Sequence, residues 1–375
     1  MRFSVRVLQL ISSLGYGGAE RLIVDLSPKL KARGLDISIA SLSGDTPLAR
    51  DLESCGIPVY TLDHHGTIYS LREIVRSCWK FRQLVEHVRP TVIHSHLYLS
   101  DIMSRLSAPA SCRLISTLHN CDRWWYQSSR VRSIGKTWLD NMTGRARAVR
   151  FISVSDDVGS AAEAILGVPK QRNRVVTNGI MLDRVKPKSI HAPRGKRIIQ
   201  VGRFYTQKNH HMALRAFRQV LDHDVEAKLT LVGDGPLRGE IEQAASDLAI
   251  SHAVEFLGAR NDVGNLLQEA DIFWMTSSYE GLPVACIEAM ACGLPSIVTS
   301  VGGLPGLISN DTVGRLVKSN DHNELARVTL DFLANPELAV EVGQNARQHV
   351  TRFYSIDLTA DRYMQAYRQL VEGQW

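Results

Sequence analysis

The chain has 375 residues, a net charge of +6, 44% hydrophobic residues and 22% charged residues. That length predicts two domains, each able to bury a core, and the composition excludes a disordered, fibrous or low-complexity chain. The mild excess of base fits anionic partners: a nucleotide, a nucleic acid or a membrane surface. Six cysteines, at 55, 78, 112, 121, 286 and 292, form neither a C-x-x-C pair nor a His/Cys cluster with zinc spacing, and are read as reduced thiols of a cytosolic protein. The opening stretch reads as a strand and not a signal peptide, because Arg6 and Gln9 break its apolar run. No stretch approaches the ~20 apolar residues of a membrane span.

In chain order, Arg2–Ser12 predicts a strand and Ala19–Arg33 a helix ended by Gly34, with a kink expected at Pro28. Between them, Gly15-Tyr16-Gly17-Gly18-Ala19-Glu20 is a turn whose backbone N–H groups can approach a phosphate or sugar. It is not a dinucleotide fingerprint, which needs glycine where Glu20 stands. Asp36–Leu42 and Val59–Leu62 read as strands, and Leu71–Val88 as a helix of good apolar period. Thr91–His94 is a strand that runs into Ser95-His96. Histidines at i and i+2 share one face of a strand, but no third ligand lies nearby, which favours packed histidines over a metal pair. Arg113–Leu118 is a strand ending in His119-Asn120.

Residues 121–150 carry seven basic residues, among them Arg123, Arg130, Arg132 and Lys136, against two acids, with Trp124, Trp125, Tyr126 and Trp138 interleaved. Such a mixture suits contact with anionic lipid, where cations meet headgroups and rings sit at headgroup depth. It equally suits a solvated basic helix with its aromatics in the core. Single-stranded nucleic acid ranks below both, because no nucleic-acid module accompanies the stretch.

Val149–Val154 is a strand, Ser155 a cap for a helix to Leu166, and Arg174–Thr177 a strand followed by Asn178-Gly179-Ile180. Residues 184–196 read as a linker. The alternation then restarts with Arg197–Val201, a strand ending in Gly202-Arg203, and Lys208 lies five residues on. Two fixed cations after one strand are what a departing diphosphate requires as its charge grows. Further strands are expected at Ala227–Val232 and Val254–Leu257, with helices to about Leu248, at Asn261–Gln268, and at Asn323–Ala334, Leu338–Thr351 and Ile356–Val371.

The most informative stretch is 271–300. Asp271–Met275 reads as a buried strand, Thr276–Gly281 as a polar turn, Val284–Cys292 as a small-residue helix opened by Pro283 and ended by Gly293, and Pro295–Thr299 as the next strand. Its loop lies at the carboxyl end of a strand, where open α/β sheets bind ligands. The N–H groups of Gly281 and Leu282 at the helix head can receive an anion. Glu288, two turns in, could accept hydrogen bonds from a ribose diol, and Glu280 at the mouth could hold a sugar hydroxyl. Either Glu alone would be an ordinary surface acid; the constellation is far more specific.

Glu280-Gly-Leu-Pro-Val-Ala-Cys-Ile-Glu288 resembles the E-x7-E signature of the retaining glycosyltransferases of family 4 (group 1), which have the GT-B fold. The resemblance implies two Rossmann-like α/β domains facing across a cleft: 1–183 binding the acceptor, 184–355 binding the nucleotide sugar, and a terminal helix, 356–375, crossing back to the first. It implies Arg203 and Lys208, after Gly202, as the diphosphate clamp. Gly17 and Gly18 lie near donor and acceptor, and His119 by the sugar and the acceptor. The activity implied is transfer with retention from a nucleoside-diphosphate sugar, UDP favoured over GDP. The expected acceptor is a glycan or a polyprenyl-diphosphate-linked glycan of cell-surface polysaccharide synthesis, and the expected location is cytoplasmic or peripheral at the inner face of the plasma membrane. Neither metal nor cofactor is expected, there being no Asp-x-Asp by the site. Glu280 lacks the partner carboxylate of a glycosidase. A UDP-sugar epimerase of the same fold, or a nucleotide-sugar-binding protein without turnover, are the alternatives.

Overall fold

The computed structural model describes residues 5–44, 46–64, 71–120, 130–188 and 196–375. They divide into two compact units: one of residues 1–178 with 356–375, the other of residues 179–355.

In the first unit the strands are β1 (Arg6–Ile11), β2 (Asp36–Ser41), β3 (Val59–Thr61), β4 (Val92–His96), β5 (Arg113–Leu118), β6 (Arg150–Ser153) and β7 (Asn173–Val175). They form one parallel sheet in the order β3-β2-β1-β4-β5-β6-β7. Its central strands are sealed on both faces, with Val7, Leu8, Leu10 and Ile11 at 0% exposure, as a parallel sheet covered by helices requires. The helices are α1 (Gly18–Ala32), α2 (Ala49–Ser54), α3 (Leu71–Val88), α4 (Tyr98–Ser107), α5 (Arg130–Ala146) and α6 (Asp156–Leu166). Helix α1 continues through Pro28 without a break. The Ser155 hydroxyl accepts the Val158 N–H at 3.2 Å and so caps α6.

The second unit holds β8 (Arg197–Val201), α7 (His210–His223), β9 (Lys228–Val232), α8 (Arg238–Asp247), β10 (Val254–Gly258) and α9 (Val263–Glu269). It continues with β11 (Ile272–Met275), α10 (Val284–Ala291), β12 (Ser296–Thr299), α11 (Leu304–Leu307), β13 (Arg315–Val317), α12 (His322–Ala334) and α13 (Pro336–Phe353). Its parallel sheet runs β10-β9-β8-β11-β12-β13. Lys188 anchors the chain as it enters: its ammonium pairs with buried Asp271 at 2.6 Å and donates to the Ala270 carbonyl at 2.6 Å.

The last helix, α14 (Ile356–Glu372), belongs to the first unit. Tyr363 and Tyr367 are sealed at 0% exposure, while Lys29 of α1 and Arg33 just beyond its end pair with Asp357 at 3.0 and 3.2 Å. The division between the units falls at 178/179, a little before the expected 183/184. The reason is local, since the Ile180 N–H donates to the Tyr354 carbonyl at 3.0 Å and so ties 179–183 to the second unit.

Helices α4 and α7 have no counterpart among the predicted elements. Each follows a non-glycine residue with positive φ, Leu97 at 72° and Asn209 at 45°, a start that periodicity does not announce.

Candidate active site

In the second unit the strand order reverses between β8 and β11, so the loops leaving these two neighbours open a crevice at the carboxyl edge. The β8 loop carries Gly202, Arg203 and Lys208; the β11 loop carries Glu280. Two side chains join the loops. Gln200 donates to the Lys208 carbonyl at 3.2 Å, and the Thr276 hydroxyl donates to the same carbonyl at 2.9 Å. The short 3-10 turn Thr206–Lys208 is thereby held against β11.

At the centre, the Lys208 ammonium forms an ion pair with Oε1 of Glu280, whose side chain is 6% exposed. The Ser277 hydroxyl donates to the same oxygen at 2.6 Å, and Gln207 donates to the Tyr279 carbonyl at 3.0 Å. The Ser277 carbonyl in turn accepts from Thr299 at 2.6 Å. Gln207 adjoins Lys208 and Ser277 shares the loop of Glu280, whereas Gln200 and Thr299 have no motif of their own and are brought here by the pairing of β11 with β8 and β12. Cys286, sealed on α10 nearby, has its thiol pushed up by burial and then by the Glu280 charge, so it stays neutral.

Glycines shape the crevice at two places. Gly302, at φ 55°, packs on the Glu280 backbone so closely that a Cβ would lie 1.8 Å from its carbonyl oxygen. Gly233, at φ 138°, would place a Cβ 2.1 Å from the Gly202 carbonyl, while Gly202 itself packs on the Lys208 stem.

The other predicted donor-site residues are distributed as follows. Arg203 is exposed, and its guanidinium lies over the Tyr205 ring, 5.1 Å from the centroid. Helix α10 begins at Val284 with Pro283 as its cap, so Gly281 and Leu282 lie in the loop just before the helix and are buried. Glu288 is half-buried, and its charge, after burial, helps push the Cys292 thiol up to about 12.

In the first unit the order reverses between β1 and β4. Gly17 caps α1 and Gly18 begins it, at the carboxyl end of β1. The histidines of β4 prove to be one cluster with His119. Nδ1 of His96 lies 3.0 Å from Nε2 of His119. Nδ1 of His94 lies 2.6 Å from the Tyr367 hydroxyl and its Nε2 2.7 Å from that of Thr117. His94 and His96 are sealed, whereas His119 is partly exposed. Among the described residues no group of three or more His, Cys, Asp or Glu side chains could hold a metal ion.

Burial holds these imidazoles neutral: His94 falls to about 3, His119 to about 4 and His96 well below its ordinary value. As pH drops through 6.5 the unfolded chain takes up protons that the folded cluster refuses, so their stabilisation is present above 6.5 and is lost toward 4. Asp25 and Asp101, raised to about 6 chiefly by burial, act oppositely between 4 and 6, because their folded forms keep the proton. Three imidazoles outweigh two carboxyls. The first unit is therefore expected to unfold at lower urea concentration at pH 5 than at pH 7; an equal or higher midpoint at pH 5 would contradict these burial effects.

Of the basic aromatic stretch, residues 121–129 and the side chains of Arg130, Arg132 and Lys136 lie outside the described residues. Helix α5 exposes Trp138 at 62% and Met142 at 44%, four residues apart and so on one face. Helix α3 likewise exposes Val75 and Trp79, and α4, packed between α3 and α5, exposes Leu106. No helix among the described residues is long and apolar enough to cross a membrane.

Each unit is thus a doubly wound α/β fold, and in the second a paired cation and carboxylate stand at the switch point, where open α/β sheets bind ligands. The family model of glycosyl transferases group 1 matches residues 183–349, and that of glycosyltransferase family 4 matches residues 16–184. The chain belongs to the group 1 glycosyltransferases of the GT-B fold. It is 24% identical over 321 residues to an Escherichia coli UDP-Gal:alpha-D-GlcNAc-diphosphoundecaprenol alpha-1,3-galactosyltransferase, covering 80% of this chain and 81% of that one. It is 26% identical over 404 residues to a D-inositol 3-phosphate glycosyltransferase of Streptomyces avermitilis, covering 95% and 85%. The crystal structure of Anabaena Alr3699/HepE in complex with UDP-glucose shares the fold at a TM-score of 0.85 and 19% identity, over 97% of this chain and 99% of that one.

Proposed function

We propose that the protein transfers a hexosyl or hexosaminyl group, with retention, from a UDP-sugar to a glycan or lipid-linked glycan in cell-surface polysaccharide synthesis. The observation that carries the reading is the Lys208–Glu280 pair at the second unit's switch point. An ammonium has three N–H donors, so Lys208 can hold Glu280 and still donate to the departing diphosphate. Arg203 adds a second cation, and no resident metal is invoked. Glu280, a carboxylate and so acceptor-only, holds sugar hydroxyls, and Glu288 holds the ribose. From the first unit, His119 and the Gly17–Gly18 turn serve the acceptor side. His119, neutral at physiological pH, acts there by hydrogen bonding and not as a proton source. The preference for UDP is supported by the UDP-Gal donor in the name of the E. coli relative and by UDP-glucose in the Anabaena structure; the same relative's diphosphoundecaprenol acceptor supports a lipid-linked one.

Nucleotide release from a panel of UDP- and GDP-sugars, with and without a membrane-lipid extract, tests this. Release with one UDP-sugar, increased by the extract, is the expected result. Sugar interconversion without net release would replace the reading with an epimerase, and binding without turnover with a non-catalytic protein.

The acceptor reading extends to peripheral contact with anionic membrane at the cytoplasmic face, through residues 121–150. Exposed Trp138 and Met142 on α5 support it, and Val75, Trp79 and Leu106 enlarge the apolar surface. In flotation with anionic liposomes the wild type is expected to rise with the vesicles, and a Trp124/Trp125/Arg130/Arg132 alanine variant to stay behind. No lipid binding by the wild type would remove the proposal.

A further inference from the structure

The histidine cluster is arranged in a way that the sugar-transfer reading does not by itself require. His94 is held at both ring nitrogens, by Tyr367 of α14 and Thr117 of β5. Its ring lies against that of His96, with centroids 4.2 Å apart, and Tyr363 stacks on it at 5.7 Å. His96 therefore sits in a fixed plane, sealed at 0% exposure, and its Nδ1 meets Nε2 of His119 at 3.0 Å.

One proton lies between those two nitrogens, and its owner follows from the far side of His96. Nε2 of His96 is buried and has no hydrogen-bond partner among the described residues. If His119 were the donor, His96 would have to carry its own hydrogen on that nitrogen, an orphaned N–H in the interior. If His96 is the donor, the same nitrogen is a bare acceptor. Orphaned buried donors are rarer than under-used acceptors, and an unmet donor forfeits its full desolvation cost. Donation by His96 leaves Nε2 of His119 as the acceptor and puts the hydrogen of His119 on Nδ1.

We propose that His96 is a positioning residue that fixes His119 as the Nδ1–H tautomer, so that His119 presents a hydrogen-bond donor to a substrate oxygen. This rests on His119 serving the transfer reaction, as proposed above. An oxygen of the sugar, of the acceptor or of the leaving group can accept from Nδ1–H. The other tautomer would present a lone pair, which a hydroxyl could meet only by donating and which would repel a diphosphate oxygen or a developing oxyanion.

The test reads the tautomer directly. Histidine rings labelled with 15N in the full-length protein give two-bond proton–nitrogen correlations that distinguish a protonated ring nitrogen from a bare one. The His119 set is assigned by its loss in His119→Gln. The wild type is expected to show protonated Nδ1 and bare Nε2. His96→Met, whose thioether can accept but not donate, is expected to draw the hydrogen to Nε2. His96→Asn, whose amide N–H can stand near the position of Nδ1, is expected to restore the original pattern. Transfer should follow the same order, with kcat of the Met variant down on the order of 10-fold or more and the donor KM nearly unchanged. A hydrogen on Nε2 of His119 in the wild type, or the same tautomer in His96→Met, overturns the assignment whatever the activity. A tautomer that moves while kcat does not overturns its service to catalysis. Wild-type activity in His119→Gln would instead bring down the underlying reading of His119.

Discussion

Lys208→Ala is expected to lower sugar transfer by ~10²-fold or more, the scale on which a contact made to developing charge is lost. The same substitution leaves the Glu280 carboxylate buried, with the Ser277 hydroxyl still donating to it but no cation beside it. Breaking a buried pair from one side costs roughly 3–5 kcal/mol. Glu280→Ala is expected to show a comparable loss of transfer for the complementary reason: the ammonium is stranded and the sugar loses its acceptor. Stability and chemistry can be separated. In Lys208→Met/Glu280→Gln neither charge remains, so the urea midpoint should recover toward wild type while transfer stays low. Near-wild-type rates in both single alanine variants would sink the site assignment, and a double variant that regains activity would reduce the pair to a packing feature.

Gly302→Ala is expected to be nearly as damaging, though no side chain is lost. Its φ of 55° strains any other residue, and its Cβ would lie 1.8 Å from the Glu280 carbonyl oxygen, with backbone and not a movable side-chain tip in the way. Left-handed strain plus forced overpacking amounts to roughly 2–6 kcal/mol. Relief by shifting the loop would carry Glu280 away from Lys208. The urea midpoint or kcat, or both, should therefore fall. Gly306→Ala is the control: nothing lies within 4 Å of its added Cβ, and it sits in α11, so stability should change by no more than about 1 kcal/mol. A Gly302 variant as stable and active as that control would show that the loop can be displaced without consequence.

Much of the fold was legible because the information is local. Leu71–Val88 and Arg113–Leu118 were bounded as the structure has them, since an apolar period of one helix or one buried strand needs no partner to be read. The loop of Glu280 was legible for the same reason, its acid, glycine, proline and second acid lying within nine residues. Side-chain company was not legible. Sequence separates Lys208 from Glu280 by 72 positions, and only the parallel pairing of β8 with β11 makes them an ion pair. Spacing made His94 and His96 neighbours on one strand face, but their link to His119 and to Tyr367 depends on β5 lying beside β4 and on α14 returning to the first unit. The sequence alone thus determined which chemistry-bearing residues stand at strand ends; tertiary structure decided which of them meet, because hydrogen bonds and ion pairs form across distances in space that sheet order, and not chain order, sets.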